Sequence, residues 1–342
     1  MKKKPPDDRD TLVDRSTKMG VGTSKEMPAV DLVGQVVGGY LVEDQLGAGA
    51  MGSVFRASHI DTNRVVALKA LHPHLVSEKS VVERFRREAK LAARLAHPYI
   101  GSVIELVRAD DGRQVIVLEF VEGEPLSSIM TMPLPPERVT LLVRQLLLGL
   151  EYAHGAGLIH RDLKPDNVLV EWRNGRDHAR IVDFGIAILR DGGEGESQER
   201  LTATGQMIGT PLYMSPEQAR GEVIDARTDL FSLGIMVYEM LAGVLPFEGR
   251  ALDILSKSLT RDAPPIEKRV PGLIVEPLLE LYCRKLMARD LAKRFTSARH
   301  ALETLDLIAH GDTAGAKLSL GIMDVERALA VVSLPPTPST RR

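Results

Sequence analysis

The chain has 342 residues, 44% of them hydrophobic, with one cysteine and a formal net charge of −2. That length suits about two units of roughly 150 residues each around a sizeable core, and the near-neutral charge offers nucleic acid or anionic lipid no general attraction, so neither is expected as a partner. The lone Cys283 excludes an intramolecular disulfide framework, and its setting in the amphipathic stretch LLELYCRKLM marks it as a small buried hydrophobe.

The start, MKKKPPDDRD, is basic, but no apolar segment follows it as a signal peptide requires. No stretch reaches the ~20 apolar residues of a membrane span, so the expected setting is soluble and cytoplasmic. Residues 1–37 mix charged, hydroxyl and proline residues without periodicity and read as a disordered tail. From Gly38 to Phe120 the signals are strand-like: YLVEDQL, SVFRAS, VVALKAL and QVIVLEF are separated by the turns HIDTNR and ADDGR. One helix interrupts them, SVVERFRREAKLAARLAH, with Val81, Phe85, Ala92 and Leu95 on its apolar stripe and Ser80 as its cap.

After Gly123 the texture turns helical. PERVTLLVRQLLLGLEYAHGAG places Val139, Leu142, Val143, Leu146 and Leu150 at helical spacing, and DLFSLGIMVYEMLAG is apolar nearly all round, which predicts a helix buried on all sides. Past Leu307 the pattern weakens, and 308–342 reads as a flexible tail.

The stretch LGAGAMGSVF carries Gly47, Gly49 and Gly52 in a G-x-G-x-x-G spacing, found in dinucleotide-binding turns and in ATP-binding loops alike. A dinucleotide turn leads into a helix; here the glycines lead into the strand SVFRAS and sit at the tip of a β-hairpin, where backbone N–H groups can lie over phosphates. Next comes Lys69, in a strand apolar on both sides, whose ammonium needs an anion. Glu88 lies amid the inward stripe of the helix above, where a carboxylate also needs a partner, so pairing of Lys69 with Glu88 accounts for both charges. The segment HRDLKPDN, His160 to Asn167, precedes DFG, Asp183 to Gly185. Asp162, Lys164, Asn167 and Asp183 supply the carboxylate base, cation and hard oxygen ligands that phosphoryl transfer from ATP requires.

With these motifs in this order, residues 38–307 resemble the eukaryotic-type (Hanks-type) serine/threonine protein kinase family, especially its bacterial members. The resemblance implies an α+β, bilobal fold, with a β-rich N-lobe at 38–120 carrying one regulatory helix and a mainly helical C-lobe at 124–307. It also implies that Leu46, Gly47, Ala48, Gly49, Ala50, Met51, Gly52, Ser53 and Val54 cover ATP, with Ala67 beside them. Lys69, paired to Glu88, would touch the α- and β-phosphates. Glu119 to Val121 would receive adenine, behind Leu118 as gatekeeper. Asp162 would be the base, Lys164 would steady the γ-phosphate, and Asn167 and Asp183 would hold Mg²⁺ or Mn²⁺.

His160 and Arg161 would support the loop, and Asp229 would brace it. SPE, Ser215 to Glu217, stands where the family has Ala-Pro-Glu, and its Glu217 would pair with Arg294 in AKRFTS. Lys164 and Thr210 resemble serine/threonine-specific members, so protein substrates with Ser or Thr acceptors are expected. The polar segment LRDGGEGESQERLTATGQMIGT reads as an activation segment, with autophosphorylation at Thr202 or Thr204 and a second copy of the chain as partner where the reaction runs in trans. A pseudokinase scaffold and a small-molecule phosphotransferase of related fold are the alternative readings.

Overall fold

The structure is a computed structural model that describes residues 32–49, 52–184 and 211–322, without the side chains at positions 74, 84 and 88. Strands β1 (Val36–Val37), β2 (Tyr40–Ala48), β3 (Gly52–His59), β4 (Val65–Leu71), β5 (Val103–Arg108) and β6 (Gln114–Glu119) form an antiparallel sheet in the order β1-β2-β3-β4-β6-β5. Leu32, Phe55, Val66, Leu68 and Val117 pack together on one face. The other carries Leu71 and Ile116 against Phe85 and Ala89 of a helix. Cover on both faces explains why VVALKAL shows no polar alternation.

Between β4 and β5 lie α1 (Pro73–Val76) and α2 (Lys79–Ala92). The expected stripe of Val81, Phe85, Ala92 and Leu95 is buried, but Leu95 lies in the turn after the helix. Ser80 does not cap it: Glu78 occupies that position, with no side-chain cap bond, and Ser80 is the second helical residue. Strand β5 has no counterpart in the expected elements. Its sequence VIELVR keeps Val103, Ile104, Leu106 and Val107 only partly buried and lacks a clean alternation.

A second sheet joins β7 (Glu124–Pro125), β8 (Val168–Arg173) and β9 (Arg176–Ile181). The remaining helices are α3 (Leu126–Ile129) and α4 (Pro136–Gly155), which pack on this sheet, and α5 (Pro216–Ala219), α6 (Arg227–Ala242), α7 (Ala251–Thr260), α8 (Ile266–Arg269), α9 (Pro277–Leu286), α10 (Ala298–Ala309) and α11 (Thr313–Leu320). The α4 stripe expected from spacing forms the core, and α6 is buried from Thr228 to Ala242 except at Glu239. Cys283 on α9 is fully buried, its Sγ 3.4 Å from the Gly234 carbonyl, and burial pushes its thiol far up.

Both expected boundaries move outward. Leu32 is 1% exposed and Val37 pairs with Tyr40 across Gly38 and Gly39, whose positive φ values turn the strand back, so packing begins before 38. At the other end α11 docks on α9 and α10: Asp312 caps it, Ser319 meets His300 and Thr304, and Lys285 donates to the Leu320 carbonyl. The helix is short and alanine- and glycine-bearing, and its fixing contacts come from residues 15 to 35 positions away, which local periodicity cannot display.

Candidate active site

The glycine hairpin is built as its sequence implies, with Gly47 opposite Val54, Ala48 opposite Ser53, and Gly49 N–H donating to the Gly52 carbonyl at 2.8 Å. Ala50 and Met51 lie outside the described residues. The three glycines differ in purpose. A Cβ on Gly52 would stand 2.0 Å from the Ala70 carbonyl oxygen, so this glycine is required by β4 itself, whereas a Cβ on Gly47 would meet no atom within 4 Å. Gly52→Ala is therefore expected to lower stability by about 1–3 kcal/mol, whereas Gly47→Ala keeps the melting temperature and raises KM for ATP. Thermal melts and ATP titrations of the two variants check the split.

Leu46, Gly47, Ala48 and Gly49 are exposed, and Val54 is partly so. Ser53 is buried on the face of Phe55 and Ala57, leaving at most its backbone for a ligand. Arg56, on the Val54 face, stacks over Phe120 at 5.7 Å, so that face looks toward the segment joining the lobes. Ala67 is buried opposite Leu118, which packs under α2.

Lys69 projects from β4 on the α2 side of the sheet, 14% exposed, and its Nζ lies 2.9 Å from Asp183 Oδ2. The anion found for it among the described residues thus comes from the DFG motif. Glu88 has its backbone in α2 between the buried Phe85 and Ala89, and its side chain lies outside the described residues.

Asp183 sits at φ +64°, after β9, with Phe184 buried behind it against His160 at 4.8 Å. In the catalytic loop Lys164 Nζ reaches Asp162 Oδ2 at 3.1 Å, and Asn167 Nδ2 donates to the Asp162 carbonyl at 2.8 Å. Arg161, at φ +66°, adopts a left-handed backbone that costs about 1–3 kcal/mol unless held. What holds it is Asp229 on α6, fully buried, accepting the backbone N–H groups of His160 and Arg161 at 2.8 Å each, with His154 of α4 at 2.8 Å on the same carboxylate. Burial pushes this carboxyl up, but His154, His160 and the backbone donor outweigh it and hold it below its usual value.

Glu217 and Arg294 form a buried bidentate pair at 2.7 and 3.1 Å. Arg294 further donates to the Ala288 and Arg227 carbonyls and lies over Phe231, while Thr228 donates to Glu217. Against its burial, Arg294 holds the Glu217 carboxyl below its usual range.

Glu119 departs from a simple adenine contact. Its carboxylate is held at 2.6 and 2.7 Å by Arg180 of β9, whose hydrogen bond lowers its pKa, and its N–H donates to the Ser102 carbonyl at 2.9 Å, so at most its carbonyl is left for a nucleotide. Val121 is buried, its carbonyl accepting from Gly123. Arg180 also donates to the Ile100 carbonyl and so ties the joining segment to the loop after α2. Sequence reasoning missed this arginine, although the signal was present: a charge inside an apolar strand, HARIV, as at Lys69. It also missed His154, and Tyr213, which donates at 2.6 Å to Glu239, a carboxyl that burial keeps raised. Thr202 and Thr204 lie outside the described residues.

The donor set fits the groups that phosphoryl transfer needs. Asp183 and the Asn167 side-chain oxygen offer hard ligands, and the space over Gly47 is open, so a ligand can approach its backbone without a side chain intervening. Among the described residues no cluster of three or more His, Cys, Asp or Glu is placed to hold a metal ion.

This bilobal architecture and its site geometry are those of one family: the protein kinase domain matches residues 40–305, and the chain belongs to the protein kinase family. It is 43% identical over 263 residues to the serine/threonine-protein kinase pkn3 of Myxococcus xanthus, covering 76% of this chain and 48% of that one. The crystal structure of the Mycobacterium tuberculosis PknI kinase domain aligns with a TM-score of 0.61 at 29% identity, covering 81% of this chain and 98% of that one. A structure of Rad53 in complex with AMP-PNP aligns at 0.63 with 25% identity, covering 77% and 64%. The chain spans less than half the length of the curated relatives it matches. The family implies ATP as substrate and a divalent metal, and no helix among the described residues is long and apolar enough to cross a membrane.

Proposed function

We propose that this chain is a serine/threonine protein kinase, transferring the γ-phosphate of ATP to Ser or Thr hydroxyls of proteins. The observation that carries the reading is the pairing of Lys164 with Asp162 at 3.1 Å and of Lys69 with Asp183 at 2.9 Å, the two pairs linked by the Val182 N–H on the Asn167 carbonyl at 2.9 Å.

Asp162 orients the attacking hydroxyl and accepts its proton; its carboxylate is held in place by Lys164 and by the turn that Asn167 closes. Lys164 and Lys69 set positive charge beside the phosphates, where negative charge grows in the transition state. Asn167 and Asp183 would hold Mg²⁺ or Mn²⁺, both of which take hard oxygen ligands, and the ion when bound would neutralise phosphate oxygens. Leu46, Val54 and Ala67 form the adenine ceiling, with the backbone of Glu119 and Val121 at its edge. Glu88 is proposed as the second partner of Lys69.

The Rad53 structure contains an ATP analogue, which agrees with ATP as the nucleotide here. ATP and a single buried, unpaired cysteine suit the cytoplasm as the setting. Autophosphorylation at Thr202 or Thr204, in trans between two copies, would bring a phosphate to Arg161. Intact-mass and fragment-ion analysis of active protein is expected to find one of these threonines modified; full activity with both unmodified contradicts it. Incubation with Mg·ATP, a generic protein acceptor and an excess of aminoglycosides is expected to label protein Ser or Thr. Phosphate on the small alcohol and never on protein overturns the reading.

A further inference from the structure

The outward face of α2 carries positive charge that the described structure balances only in part. Glu83, Arg86, Arg87, Lys90, Leu91 and Arg94 line one shallow groove of about 380 Å³ along the helix and the turn after it. Their spacing, every third or fourth residue, is that of a single helical face about 16 Å long. Arg86 is held by the neutral Gln114 at 3.1 Å, while Arg87, Lys90 and Arg94 are exposed and form no hydrogen bond or ion pair with another described side chain.

Each of these cations has a like charge one turn away: Arg86 with Lys90, Arg87 with Lys90, and Lys90 with Arg94. Such neighbours repel, and Glu83 at the far end relieves only Arg86 and Arg87. The opposite face of the helix is fixed in the core by Phe85 and Ala89, so the helix cannot turn the charges apart. Four cations stand against one carboxylate on a chain whose overall charge is −2, so this is a local concentration of one sign.

We propose that this face is a docking surface for a carboxylate-rich segment of a protein partner. The groove's length matches about five residues of extended chain, its volume admits side chains but not a nucleic acid duplex, and the partly buried Leu91 in its floor offers one apolar contact. The acidic segment places carboxylates against Arg87, Lys90 and Arg94 and removes their mutual repulsion. The surface lies apart from the phosphotransfer residues, and its occupancy is measured without turnover.

The test is fluorescence anisotropy with a labelled peptide of Glu and Asp around one Leu, added to the whole chain. Saturable binding is expected, weakened about tenfold or more in Arg87→Gln/Lys90→Gln/Arg94→Gln, weakened again by salt, and absent for the peptide with Gln and Asn in place of its acids. Circular dichroism melts verify that the variant is folded, and the single Lys90→Glu change, with cross-link mapping of the bound peptide, serves if it is not. Equal binding to wild type and variant, cross-links away from α2, or capture of duplex DNA or phosphatidylserine vesicles in place of the peptide overturns the proposal.

Discussion

Arg294→Met is expected to lower the stability of the kinase domain by about 3–5 kcal/mol, a large part of the ~5–15 kcal/mol that holds such a fold together. The change leaves Glu217 buried without its cation and removes two further carbonyl bonds from Arg294, so α5, α6 and the segment before α10 lose their common tie. Glu217→Leu/Arg294→Met should recover part of the loss, because an apolar pair leaves no buried charge behind.

The pH dependence separates this mechanism from simple loss of packing. In the wild type the Glu217 carboxyl lies below its ordinary value of 4.5, so its contribution is present in full above that pH and is lost as pH falls below it. In Arg294→Met burial, the largest influence on this carboxyl, is opposed only by the backbone and Thr228 hydrogen bonds, and it raises the same carboxyl. The folded variant then binds its proton more readily than the unfolded chain, and the gap to wild type should be widest near neutrality and shrink on acidification. Urea denaturation of both proteins between pH 7 and pH 4 measures it.

Asp229→Ala is expected to remove both stability and activity. Three donors, from His154, His160 and Arg161, lose a fully buried acceptor, which costs about 3–5 kcal/mol. The left-handed Arg161 loses the bonds that hold it and Asp162 follows directly, so phosphotransfer by the folded fraction should fall by about a hundredfold or more. Denaturant midpoints give the first quantity and single-turnover rates on folded protein the second. A variant with wild-type rate and midpoint would show that the brace is dispensable.

Legibility in the sequence followed the range of the forces involved. The strands β2, β3, β4 and β6, the α4 stripe and the all-round burial of α6 were readable because side-chain periodicity reports burial directly. Lys69 stood out as a charge in an apolar strand, and the same argument applied to Arg180 would have pointed to its clasp on Glu119. Strand β5 and helix α11 left weaker traces: one is half-exposed along its length, and the other is held by contacts from α9 and α10. The left-handed conformations of Arg161 and Asp183 had no local signal, since neither residue is glycine, and that of Arg161 is held by the distant Asp229. The glycine loop was legible as a motif but not in its division of labour, which appears only once Ala70 is placed beneath Gly52.

The central claim is that Asp162 drives phosphoryl transfer from ATP to protein hydroxyls. Transfer of labelled γ-phosphate to a generic protein acceptor, wild type beside Asp162→Asn, tests it most directly. The carboxamide keeps the size of the side chain but cannot take the hydroxyl proton, so incorporation should fall by about 10²–10⁴-fold with ATP binding retained. Equal incorporation by the two proteins would contradict the account.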